Sequence, residues 1–251
     1  MTISKPPHDL TALEQPMRIR GACVDFVAFK DGLDAIGKHQ AFASPLERLG
    51  RRLACLTVTG REEWTAIHPQ AFCRYALPFS DPEGGSETSM APADVNPRLI
   101  ISGTRDFSPA SWRRDIDPGH VMAWSDNLVD ADDRTDPELP RLAQIGDLPL
   151  YVAVEGKNRM TLFKRYRLTM RAMVMKTAFP QPQDMQLIRL RPFGVYGLKH
   201  AGVTQVLPFP AYTVPLLEAY GVPKGEAVMD ATAALQLCRK RQYICSQQMA
   251  P

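Results

Sequence analysis

The residues best suited to chemistry form one short run, Glu155-Gly156-Lys157-Asn158-Arg159. A glycine lets an anion come close to the backbone. The N–H groups that open a helix have no intrahelical acceptor and carry partial positive charge. A glycine turn leading into a helix is therefore a seat for phosphate. Here Gly156, Lys157, Asn158 and Arg159 are the candidate phosphate ligands, two of them cations. Glu155 is suited to hold a divalent ion beside that phosphate, or to act as a general base. Glu155 and Arg159 thus form the candidate catalytic pair. The same residues also fit a plain structural turn with Glu155 paired to Lys157 or Arg159. The run matches neither GxxxxGK[ST] nor GxGxxG, so no motif fixes a nucleotide, and the metal is equally unspecified.

Other positions extend or limit this chemistry. Lys164 and Arg165 continue the positive charge downstream, and Trp112-Arg113-Arg114 joins an aromatic ring to two cations. Arg113, Arg114, Lys164 and Arg165 are accordingly the candidate nucleic-acid contacts. The net charge of +3 means that any such surface is local. The acidic stretch 126–140 lacks the sixth-position glycine and twelfth-position glutamate of a calcium loop and reads as a solvated loop. The five cysteines are odd in number and none is spaced as CxxC, which argues against a disulfide framework or a zinc site. They read as buried free thiols in a reducing compartment. His120 reads as structural, and no nucleophile elbow accompanies the scattered histidines.

These residues need elements to position them. The apolar run 148–154 (LPLYVAV) predicts a buried strand, and 160–168 a helix. Strands follow at 169–175 and 185–191, and 98–102 is a strand upstream. Residues 1–17 are polar and read as a flexible arm. Residues 19–29 alternate as a strand would, Ser44-Pro45 opens a helix, and 56–60 is a further strand. Residues 78–97 carry little that can be buried and read as a linker or long loop. Helices are expected from Val214 to Tyr220 and over 226–244. The organisation predicted is an arm (1–17), an N-terminal α/β portion (18–77), a linker (78–97), a core (98–192) and a C-terminal helical extension (193–251). The fold class is α+β, with mixed α/β character. No stretch approaches the roughly 20 apolar residues of a membrane span, and residues 1–15 lack an apolar signal core. A cytoplasmic protein without membrane insertion is expected.

The segment LPLYVAVEGKNRMTLFKRY, followed by TMRAMV, resembles the core of the ParB/sulfiredoxin superfamily, which has a strand, a Gly-x-x-Arg turn, a helix and a further strand. Gly156 and Arg159 match the first and last residues of the box, and Arg171-Ala172-Met173-Val174 fits the strand after it. The resemblance spans about residues 95–192. It departs from the family at instructive places. Lys157 stands where sulfiredoxins carry their catalytic cysteine, which excludes that reductase chemistry. Lys157 and Asn158 replace the middle Glu-Arg pair of partition-type members. Residues 192–225 offer no clean helix-turn-helix. What remains resembles divergent plasmid-type members, among them fertility-inhibition factors. That resemblance implies a bound ATP or other nucleotide with Mg²⁺, ATPase or DNA-cleaving activity, and interference with conjugative DNA transfer. The implied partners are DNA or a conjugation or type IV secretion protein. A different class stays open: a non-catalytic protein that blocks a secretion or coupling ATPase through loops 78–97 and 126–140 or through the Pro-rich C-terminal third. A sequence-specific DNA binder is a third.

Overall fold

A computed structural model of the chain describes residues 10–39, 68–85, 90–103, 140–155, 157–191 and 195–228, with isolated positions 119, 121 and 123. The fold is mixed α+β, as the sequence predicts.

One sheet holds β1 (Ala91–Val95), β2 (Ile100–Ile101), β3 (Arg141–Ile145), β4 (Tyr151–Ala153) and β5 (Met170–Thr177), in the order β1-β5-β3-β4-β2. β3 runs parallel to β5 and antiparallel to β4; β1 pairs antiparallel with β5, and β2 parallel with β4. Side chains alternate between the two faces of a strand, and both faces of this sheet are covered. Leu142, Ala153, Met170 and Ala172 face Met160 and Phe163 of α3 (Lys157–Tyr166). Ala143, Ile145, Val152, Met173 and Met175 face the larger core. That core takes in α1 (Leu10–His39), α2 (Pro69–Ala76) and α4 (Pro210–Tyr220).

A second sheet is built from β6 (Met185–Arg191), β7 (Val195–His200), β8 (Val203–Val206) and β9 (Lys224–Val228), in the order β8-β7-β6-β9. β6 and β7 pair antiparallel, while β9 joins β6 in parallel. Leu187 and Leu198 carry this sheet into the larger core.

Two lysine contacts fix α1. Lys30, wholly buried, donates to the Asp34 carboxylate and to the Ser102 carbonyl just beyond β2. Lys164 of α3 donates to both Asp31 oxygens at 2.9 and 3.0 Å.

Several expectations are corrected. Residues 19–29 are helical, inside α1, and not a strand. Among its described side chains Cys23, Phe26, Val27, Lys30 and Asp34 are buried, a three- and four-residue period. The nearly unbroken apolar run 22–29 fits either period, and only the length of the element decides. α1 also begins at Leu10, within the segment read as an arm. The expected linker 78–97 contains β1, with Met90 and Val95 buried. Among the described residues β1 pairs on one side only, so Pro92 is tolerated at this sheet edge. The strand expected over 98–102 shortens to β2 after a 3₁₀ turn, Pro97–Leu99, where the Asn96 side chain accepts from the Arg98 N–H at 3.0 Å. The expected core 98–192 does not coincide with one sheet, because β6 belongs to the second. The expected helical extension carries β7, β8, β9 and α4. Residues 226–228 extend in parallel pairing with β6, a tertiary contact that overrides local helix preference. α4 starts at Pro210 rather than Val214, with proline in its first turn, and stops at Gly221 (φ +103°). The helix expected from Ser44, the strand 56–60 and the helical stretch beyond 228 lie outside the described residues.

Candidate functional site

The strand–turn–helix predicted around residue 156 is present. β4 ends at Ala153 and α3 opens at Lys157. The N–H groups of Val154 and Glu155 donate to the Arg141 carbonyl at 2.9 and 3.2 Å. The turn is thus tied to the start of β3. Met160 and Phe163, both fully buried, seat α3 on the sheet. Its far end closes at Arg167 (φ +56°), where the Leu168 N–H returns to the Phe163 carbonyl at 3.1 Å. The backbone places Lys157, Asn158 and Arg159 in the first turn of this helix, which holds no acidic residue. Gly156 and the side chains of Lys157, Asn158 and Arg159 lie outside the described residues.

Glu155 is exposed, and its carboxylate pairs with the Arg141 guanidinium at 3.4 Å. A structural ion pair was anticipated here, with Lys157 or Arg159; the observed partner is Arg141. The same end of the sheet carries Arg171, whose Nη1 meets Asp94 at 3.2 Å. Its Nε is buried and has no partner among the described residues. Arg141 and Arg171 were missed by sequence reasoning. The available signal was position: each stands at the start of a strand that delivers its guanidinium to the end where β4 turns into α3.

Two of the candidate nucleic-acid contacts can be located. The Lys164 ammonium is turned toward Asp31, its side chain only 15% exposed. Burial lowers its pKa, and Asp31 partly restores it. Arg165 is exposed, its guanidinium 5.9 Å from the centre of the Tyr166 ring. Arg113 and Arg114 lie outside the described residues.

The described donors suit an anion better than a cation. No cluster of three or more His, Cys, Asp or Glu side chains is assembled among the described residues. A divalent ion at this turn would have Glu155 as its described protein ligand, and Arg141 already holds that carboxylate. Cys23 and Cys73 are buried free thiols, each pushed up to about 12 by burial. Thiols so far from ionisation are poor nucleophiles. No helix among the described residues is long and apolar enough to cross a membrane.

No protein-family model, no curated protein and no solved structure matches this chain.

Proposed function

We propose that the turn between β4 and α3 binds a phosphate group of a nucleotide or nucleic acid. One observation carries the reading: α3 opens on Lys157 and Arg159 with no acidic residue in its first turn. Cations at the positive end of a helix dipole are unfavourable, by about 0.3–1 kcal/mol each. An anion on the first N–H groups is attracted by the dipole and by both cations. The likeness of Gly156 and Arg159 to the ParB/sulfiredoxin box supports the same seat. On this reading the ligand is ATP or another nucleotide with Mg²⁺, or a DNA phosphate. By the same resemblance, the role is interference with conjugative DNA transfer.

The Glu155–Arg141 pair favours binding over hydrolysis. A carboxylate that is to hold a metal or accept a proton must first leave its guanidinium. This supports the second reading, a non-catalytic protein that blocks a secretion or coupling ATPase.

The test is binding of labelled ATP, CTP and GTP, and of DNA across a salt series, to wild type and Arg159→Ala, with and without Mg²⁺. Binding weakened at least about tenfold in the variant, a loss of about 1.4 kcal/mol, is the expected result. Absence of binding to any nucleotide and to DNA overturns the phosphate seat and leaves the interaction protein as the reading to pursue.

A further inference from the structure

The outer face of α1 carries a seam. Arg18, Gly21, Asp25, Ala28 and Gly32 recur at alternating three- and four-residue spacing, and all are exposed. That is the period at which one helix packs along another. Together with Tyr212 and its neighbours on α4, the seam lines a groove of about 890 Å³.

The glycines are unexplained by the fold itself. A glycine inside a helix costs about 0.5–1 kcal/mol relative to alanine. Yet an added Cβ at Gly21 or at Gly32 would meet nothing within 4 Å. Packing within the described chain therefore requires neither glycine. Gly21 leaves room for close approach by a helix from outside.

Charge identifies that helix. Arg18 and Asp25 lie on this one face, and neither makes an ion pair among the described residues. Glu218 also lines the groove, but Lys224 neutralises it at 2.7 Å. Consider a two-fold axis passing between Gly21 and Ala22. It sets Arg18 of each copy against Asp25 of the other, so two opposite-charge pairs form. The same axis sets Gly21 against Ala22, the two smallest residues between Arg18 and Asp25, where the helices cross most closely. A parallel arrangement in register would place Arg18 against Arg18 and Asp25 against Asp25. We propose that this groove is a homodimer interface in which α1 packs antiparallel on α1 of a second copy. A two-fold contact of this kind closes on itself, so assembly stops at two.

Sedimentation equilibrium of the full chain over a concentration series tests it. Wild type is expected to dimerise reversibly. Arg18→Asp and Asp25→Arg should each weaken the dimer by about 30-fold or more, and the two together should restore it. Gly21→Leu should abolish dimerisation. Leucine favours the helix and has open space in the monomer, so its thermal unfolding should show no loss of monomer stability. A wild type that stays monomeric throughout overturns the proposal. So does a dimer that is indifferent to both charge reversals, or reversals that the double variant fails to rescue.

Discussion

Replacing Lys30 by methionine isolates the contact that fixes α1 to the sheet. The lysine side chain is fully enclosed, and that of Asp34 is 8% exposed. Its ammonium donates to the Asp34 carboxylate and to the Ser102 carbonyl. Burial lowers the Lys30 pKa, and Asp34 opposes that shift. Lys30→Met keeps the length and apolar stem but removes the charge beside Asp34. Taking one member from a buried ion pair costs about 3–5 kcal/mol. A buried carbonyl left without its donor costs about 1–3 kcal/mol. The two share one site and do not add fully, so a loss of about 3–5 kcal/mol is expected. That is a large part of the roughly 5–15 kcal/mol stability of an ordinary domain. Urea unfolding followed by far-ultraviolet circular dichroism reads it as a lower midpoint at unchanged slope. The double variant Lys30→Met/Asp34→Leu should recover at least half of the loss, because apolar replacement of a whole buried pair is often neutral. The pH dependence has a definite sign. Since the folded pKa is lowered, the unfolded chain holds more protons above it. Stability from Lys30 therefore rises with pH toward the ordinary lysine value of 10.5, and Lys30→Met lacks this rise. A single variant within about 1 kcal/mol of wild type, or a double variant no better than the single, would refute the reasoning.

Three further outcomes are expected. Gly146→Ala should cost about 2–4 kcal/mol, because Gly146 has φ +51° and an added Cβ would stand 2.7 Å from the Phe179 Cβ; Gly202→Ala, at φ +78° with open space, should cost only the backbone strain of about 1–2 kcal/mol. The Cys23 thiol, raised from 9.0 to about 12 in the folded chain, stabilises most fully below pH 9.0 and loses that contribution as pH climbs toward 12; the stability gap between wild type and Cys23→Ala should narrow by about 1.4 kcal/mol per pH unit across that window. Asp31→Asn should cost about 1 kcal/mol, since its side chain is 43% exposed and the pair is partly screened, while changing nucleotide affinity less than about threefold because Lys164 sits in the last turn of α3, away from the proposed anion seat; a tenfold loss of affinity would show that this pair positions the first turn.

The centre of the chain was legible in sequence because its local signals agree. Residues 151–177 run strand, turn, helix and strand with apolar positions at the matching period, although the strand expected over 148–154 shortens to Tyr151–Ala153 because the Leu148 N–H turns back to the Ile145 carbonyl at 3.0 Å. The N-terminal helix was misread because 22–29 is almost continuously apolar, which leaves the period undetermined. Buried Lys30 gave no sequence signal, since its partners are Asp34 one turn on and a carbonyl 72 residues away. β1 was hidden by Ala91, Pro92 and Asp94, residues of low strand preference that an edge position accepts. β9 was hidden for the opposite reason: Glu226-Ala227-Val228 is a fair helix start, and only the parallel neighbour β6 makes it a strand.

The same distinction explains the candidate site. Gly156 and the cations after it stand out in the sequence as a candidate because a phosphate seat is local, built from consecutive residues. Arg141 and Arg171 do not, because their relevance depends on which strands lie side by side. β3 and β5 run parallel, with Arg141 opposite Met173, so both strands begin near the same end of the sheet, and Arg171 lies two residues before Met173 on β5. The turn at β4 reaches that end through hydrogen bonds to the Arg141 carbonyl. Glu155 and Asp94 occupy those two guanidiniums. An arriving phosphate would therefore meet cations already partnered by carboxylates, and its binding would be measured against those pairs. The first turn of α3 is different: it holds cations and no carboxylate of its own. On the proposed reading that difference in sequence makes Arg159 the informative residue to change.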